Sequence, residues 1–141
     1  MAEASREEIF DISAEKFYES LLDYENYAEI LPEVDSIDVL ECSEEGAKVQ
    51  YNLNIVKKFS YTLKMTHDRP KSLVWDLDSG SLFKKNSGRW DIEDLGDDRC
   101  KVTYSLDVGL KVFAPKAITK KLVSVGLPRM MNAFFEHAKS L

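Results

Sequence analysis

"VQYNLNIVKKFSYTLKM", residues Val49 to Met65, alternates almost without error. Val49, Tyr51, Leu53 and Ile55 fall on one phase, with Gln50, Asn52 and Asn54 on the other. Beyond the Lys57–Lys58 pair the same two-residue period returns, with Tyr61, Leu63 and Met65 set against Ser60, Thr62 and Lys64. A period of two describes a strand with one dry face and one wet face. Two such runs separated by a short polar break predict antiparallel neighbours.

The pattern extends in both directions. Val34–Cys42 precedes it; Ser72–Asp78, Leu82–Glu93 and Cys100–Leu110 follow, with "SEEG", "DRP", "DSGS" and "DLGDD" between the runs. Leu73, Trp75 and Leu77 share a phase, as do Val102, Tyr104, Leu106 and Val108. With a first short strand on Glu8, Phe10 and Ile12, this predicts about seven strands in an antiparallel meander with one apolar face. One run breaks the rule. Leu82, Trp90 and Ile92 share their phase with Lys84, Asn86 and Gly88, while Phe83 lies opposite. A bulge near Gly88 is the expected cause; the alternative is polar side chains pointing inward.

Helical spacing appears at both ends of the chain. Ser13 stands as an N-cap before Phe17, Leu21 and Leu22, an apolar stripe of about two turns. Tyr24, Tyr27, Ile30 and Leu31 form a second short helix, stopped by Pro32. Ala114–Leu141 reads as one long helix, with Ile118, Leu122 and Val125 in one stripe and Leu127, Met131, Phe134, Ala138 and Leu141 in another. Gly126 and Pro128 predict a kink between them. Only this helix is large enough to cover the sheet's apolar face. The expected fold is α+β, a helix grip in which a curved antiparallel sheet of about seven strands closes around the long C-terminal helix. The helix over Tyr24–Leu31 is too short to stand alone in water, so it is expected to plug one end of the groove. Residues 1–141 are expected to form one domain.

Several function classes are excluded at this level. A net charge of −6 and a pI near 5.0 do not suit a nucleic-acid backbone, so no DNA partner is expected. Cys42 and Cys100 have no CxxC or CxxxC partner and fall in strand-like runs, so both are expected as reduced, buried thiols. The N-terminus lacks signal-peptide features and no apolar stretch reaches bilayer-spanning length, which predicts a cytoplasmic protein. Walker A, GxGxxG and GxSxG motifs are missing. His67 and His137, the two histidines, have no metal-ligand spacing. No catalytic residue, metal ligand or cofactor is therefore assigned, and a binding role is expected ahead of an enzymatic one.

The order of elements, with "LLDYENYAEILPEVDSIDVL", "GRWDIED", "YSLDV" and the terminal "MMNAFFEHAKSL", resembles the coenzyme-Q-binding branch of the START-like helix-grip superfamily. Polyketide cyclase and dehydrase-type domains share that superfamily. The resemblance runs from Phe10 to Leu141, and its motif positions fall on Tyr27, Leu31 and Pro32, on Trp90, and on Met131, Ala133 and Phe134. It implies a deep apolar cavity between sheet and helix that holds a lipid-like molecule.

Inward residues then become candidate ligand contacts. They are Tyr51, Leu53, Tyr61, Leu63, Trp75, Leu77, Trp90, Tyr104 and Leu106 on the sheet, and Ile118, Leu122, Val125 and Phe134 on the helix. One helix cannot fill a strongly curved sheet, and a large void is costly. A bound hydrophobic small molecule, such as an isoprenoid quinone or related lipid, would remove that cost. Its head-group carbonyls would accept from Tyr51, Tyr61 or Tyr104. A tail along Leu53, Leu63, Leu106, Ile118 and Leu122 would contribute about 0.8 kcal/mol per buried methylene. Lys111, Lys116, Lys120 and Lys121, near Phe113, read either as a solvated face or as a transient contact with anionic lipid headgroups at a membrane surface. Two alternatives follow from the resemblance. One is a polyketide cyclase or dehydratase, with Lys84, Asn86 and the inward tyrosines orienting an enolising carbonyl. The other is a ribosome-associated regulator, against which the acidic balance counts.

Overall fold

Each alternating run becomes a strand, because β-branched and aromatic side chains suit a pleated surface that is dry on one face. The computed structural model describes residues 2–121 and 127–141. β1 spans Ala2–Phe10, β2 Val34–Cys42, β3 Gly46–Ile55, β4 Lys57–Asp68, β5 Ser72–Gly80, β6 Phe83–Gly96 and β7 Arg99–Leu110. They form one seven-stranded sheet in the order β1-β7-β6-β5-β4-β3-β2, with every pairing antiparallel. β2 to β7 are the meander, and β1 returns to pair with β7. Val49, Tyr51, Leu53, Ile55, Tyr61, Leu63 and Met65 are all buried on the concave face. β1 is longer than its apolar residues predict. Its ladder on β7 runs from Ala2↔Val108 to Phe10↔Cys100 and recruits a largely polar segment.

The irregular run resolves differently from the expectation. From Lys85↔Gly109 to Asp94↔Cys100 the β6–β7 register is unbroken, so no bulge lies near Gly88. The shift falls between Phe83 and Lys85, which makes Lys84 the extra residue, and Lys84 is exposed. One inserted residue lets both Phe83 and Asn86 face the interior, at 3% and 5% exposure. Lys84 therefore does not point inward, whereas Asn86 does. Gly88 keeps the inward phase for another reason. A Cβ there would lie 2.3 Å from the Ser105 carbonyl oxygen and 2.6 Å from Cζ2 of Trp75. The glycine makes room for the Trp75 indole.

Among the described residues, four α-helices complete the fold. α1 spans Ala14–Leu22, and the Ser13 hydroxyl caps it by accepting from the Lys16 N–H at 3.3 Å. The second short helix is split into a single 3-10 turn at Tyr24–Asn26 and α2 at Tyr27–Ile30. α3 spans Lys116–Lys120 and α4 Leu127–Lys139, so the helix expected over Ala114–Leu141 is described as two segments. The kink position Gly126 and the stripe residues Leu122 and Val125 lie outside the described residues. Pro128 is the second described residue of α4. Leu127, Met131, Phe134 and Ala138 are buried, but Leu141 lies past the helix end and is exposed. Coverage of the sheet is shared. α1 packs on α4 and β6, with the Phe17 ring 5.3 Å from Phe10 and 5.9 Å from Trp90.

The two cysteines separate. Cys100 is fully buried in β7, and burial pushes its thiol up to about 11. Cys42, expected to be buried, is exposed, because it ends an edge strand with no neighbour beyond it. Leu40, on the same strand, falls at a register shift and is turned outward.

Both histidines tie helical segments together. Nε2 of His137 lies 2.7 Å from Oδ2 of Asp23, linking α4 to the end of α1. The Tyr24 hydroxyl is 2.8 Å from Nε2 of His67, linking the 3-10 turn to β4. Burial lowers the pKa of His67, and the Arg69 charge adds to this, against backbone hydrogen bonds at Glu44 and Ser43 that raise it. The fold thus favours neutral His67. An imidazole lowered on folding contributes stability that is complete above its unfolded value of about 6.5 and is lost as pH falls through the folded value. His67→Gln can still pair with Tyr24 but does not titrate. Urea midpoints measured between about pH 7 and 5 should therefore fall less steeply in this variant than in the wild type.

Candidate functional site

Strand, helix and plug meet around a cavity of about 160 Å³. β3 contributes Tyr51, Leu53 and Ile55, β4 Tyr61, Leu63 and Met65, and β5 Trp75. Asn86 and Trp90 come from β6, Tyr104 and Leu106 from β7, and Met130, Ala133 and Phe134 from α4. The plug adds Tyr27, Ile30 and Leu31, and so closes the groove as its position in the sequence predicts. Exposed and half-buried residues mark the mouth: Pro32, Glu33, Lys121 and Arg129. Lys121 and Glu33 pair across it at 3.4 Å.

Aromatic rings form a belt around this space. Trp75 lies 5.6 Å from Tyr104, Tyr104 4.7 Å from Trp90, and Trp90 5.6 Å from Phe134. Phe134 contacts Tyr27 at 5.2 Å, Tyr27 contacts Tyr51 at 6.0 Å, and Tyr51 stacks on Tyr61 at 5.1 Å. Edge and tilted contacts of this kind fix each ring against its neighbours. The belt is a rigid wall.

Its polar groups fall into two sets. Tyr27 donates to the Leu21 carbonyl at 2.5 Å, and the Tyr51 ring packs edge-on against Tyr27. The Tyr27 hydroxyl serves the fold. Tyr61 and Tyr104 have no hydrogen-bond partner among the described residues, and neither oxygen is sealed from the cavity. The Trp75 Nε1–H donates to Oδ1 of Asn86 at 3.2 Å, which leaves the amide NH₂ of this cavity-lining residue as its donor group. Burial raises the pKa of Tyr61 and Tyr104, so both stay protonated at neutral pH. The interior therefore offers three neutral donors. Among the described lining residues the one carboxylate, Glu33, stands at the rim in its pair with Lys121.

Of the candidate contacts, Tyr51, Leu53, Tyr61, Leu63, Trp75, Trp90, Tyr104, Leu106 and Phe134 line this one space. Leu77 does not. It is only partly buried, on the part of β5 beyond the Trp75↔Gly88 pair that ends the β5–β6 ladder. Ile118 is fully buried in α3, which packs on β7, and lies off the cavity. Leu122 and Val125 are outside the described residues. Ile55 and Met65 also line the space, and they share the phase of Leu53 and Leu63, so the alternating pattern carries their signal as well. The charged rim gave no periodic signal.

Comparison with known proteins places this architecture. A family model described as polyketide cyclase/dehydrase and lipid transport matches residues 10–135. An aromatase/cyclase, Zhui, from Streptomyces sp. R1128 is similar in structure, with a TM-score of 0.85, 17% identity, and coverage of 98% of this chain and 93% of that one. A START superfamily protein from Mycobacterium smegmatis gives 0.82 at 22% identity, covering 98% and 97%. Norcoclaurine synthase from Thalictrum flavum gives 0.73 at 13% identity, covering 99% and 87%. No curated protein sequence matches the chain.

Proposed function

The chain belongs to the polyketide cyclase/dehydrase and lipid transport family, and on that footing we propose that it binds a hydrophobic, ring-bearing small molecule without transforming it. The ligand class that fits best is an isoprenoid quinone or related lipid, collected transiently at a membrane surface and held in the cytoplasm. The observation that carries this reading is the aromatic cavity with neutral donors at Asn86, Tyr61 and Tyr104. Quinone carbonyls accept hydrogen bonds and carry no charge, so such a set satisfies them without ionisation.

Size refines the ligand. An apolar cavity of roughly 150 Å³ admits a benzene-sized molecule, whereas drug-sized ligands occupy roughly 300 Å³ or more. About 160 Å³ therefore takes a ring head group, and an isoprenoid tail leaves by the mouth. Ile118 lies off the cavity, so the tail path expected along it is replaced by one past Leu31 and Met130.

The chain's two tryptophans, Trp75 and Trp90, both line the cavity. Titration with a short-tailed ubiquinone analogue should therefore quench their fluorescence saturably, and native mass spectrometry should show one bound molecule. No quenching, together with no adduct, would overturn the reading. A cyclase or dehydratase is the second reading, favoured by the same donor set, which could polarise an enolising carbonyl. It also needs a proton acceptor, which the three interior donors do not supply. Turnover of a poly-β-ketone substrate by the purified protein would establish it.

A further inference from the structure

Val112 is 95% exposed and Phe113 68%. They form the tip of the turn between β7 and α3, closed by the Ala114 N–H donating to the Lys111 carbonyl at 2.9 Å. Val56, in the β3–β4 turn, is 72% exposed and has a φ of 68°. A β-branched residue takes that left-handed conformation at a steric cost, and it gains no burial here in return. Asparagine or glycine would relieve the strain and the exposure together. No burial in the described structure offsets that cost at this tip.

The three apolar tips sit at one end of the sheet. Phe83 pairs with Leu110, the Lys111 N–H donates to the Leu82 carbonyl at 2.8 Å, and the Phe59 ring lies 6.2 Å from Phe83. Lys57, Lys58, Lys84, Lys111 and Lys116 are exposed at this end, and none forms an ion pair with a described residue. Of the acids at this end, Glu33 is engaged by Lys121 and Asp107 by Lys85, while Glu3 and Asp35 stand on the two outer strands β1 and β2, outside the turn that carries Val112 and Phe113. In a chain of net charge −6, free cations gather where the apolar tips project. The cavity mouth shares this end, since Ile55 lines the cavity beside Val56 and Lys121 stands at the rim just after α3.

We propose that this end docks on the surface of an anionic lipid bilayer, with Val56, Val112 and Phe113 entering the interface and the lysines lying over headgroup phosphates. Apolar tips ringed by cations match a boundary where hydrocarbon lies beneath a negatively charged plane. A second copy of the chain would set lysine against lysine. An RNA surface would accept the lysines but leave the three apolar tips in water. The proposal names the membrane face of the ligand reading and rests on it for its purpose alone, because docking needs no ligand.

Flotation of the ligand-free protein with vesicles of phosphatidylcholine, with or without phosphatidylglycerol, tests it. Binding is expected to the anionic vesicles and to weaken with salt. Each of Lys57→Gln and Lys58→Gln should weaken it about fivefold. Val112→Glu with Phe113→Glu should abolish it while quinone quenching in solution persists, which also shows that this variant is folded. Three results would each overturn the proposal: equal binding to neutral and anionic vesicles, wild-type vesicle binding by the glutamate variant, or a dimer or ribosome complex in place of vesicle binding. Absence of quenching with vesicle binding intact would remove the cavity reading and leave the docking surface standing.

Discussion

Ala133→Phe should weaken binding of a short-tailed quinone by at least about a hundredfold and leave the urea midpoint close to that of the wild type. Ala133 lies on α4 and lines the cavity, so a phenyl ring built there enters the space assigned to the ligand ring. The change within the helix itself is small, since Phe costs only about 0.5 kcal/mol of helix propensity against Ala. If the space were ordinary packed core, the added ring would have to displace Trp90, Phe134 or Leu106 and would cost about 1–3 kcal/mol. Affinity and stability thus respond in opposite ways under the two descriptions. A large fall in the urea midpoint would mean that the helix already fills the grip.

Much of this arrangement was legible in the sequence because period and burial coincide. Where one face is dry, every second residue reports it, and Val49–Ile55 and Phe59–Met65 do so on either side of the turn at Val56, with buried Thr62 the exception. β6 was harder. A residue inserted at Lys84 and a bulge at Gly88 produce nearly the same string of letters, and only the register on β7 separates them. The polar half of β1 was illegible, because its pairing with β7 uses backbone groups that every sequence carries. The cavity lies between these extremes. Inward phase identified its aromatic wall, but phase cannot say which inward residues touch each other and which leave a gap. Leu77 and Ile118 share the pattern and miss the cavity; Asn86 joins it through one hydrogen bond to Trp75. The broader family is shown by the match over residues 10–135, whereas the coenzyme-Q branch stays part of the proposed ligand reading.

Two phenylalanines of equal size make the sharpest comparison between core and site. Phe134 is 2% exposed, packs on Tyr27 and Trp90, and lines the cavity. Phe17 is fully buried between Phe10 and Trp90 and does not line it. Either one replaced by alanine should cost about 3–5 kcal/mol of unfolding free energy, the sum of lost transfer energy and the void left behind. Their responses to ligand should differ. Phe134→Ala enlarges a space that already opens at a mouth, so a short-tailed quinone can enter the void and restore contacts with Trp90 and Tyr27. Phe17→Ala leaves a void walled off by α1, which the same molecule does not reach. Saturating quinone should therefore raise the melting temperature of Phe134→Ala by more than that of the wild type. For Phe17→Ala, where the site is unchanged, the rise should match the wild type. Equal rises in both variants would mean that the ligand lies elsewhere than against Phe134, and the aromatic belt would then be core alone.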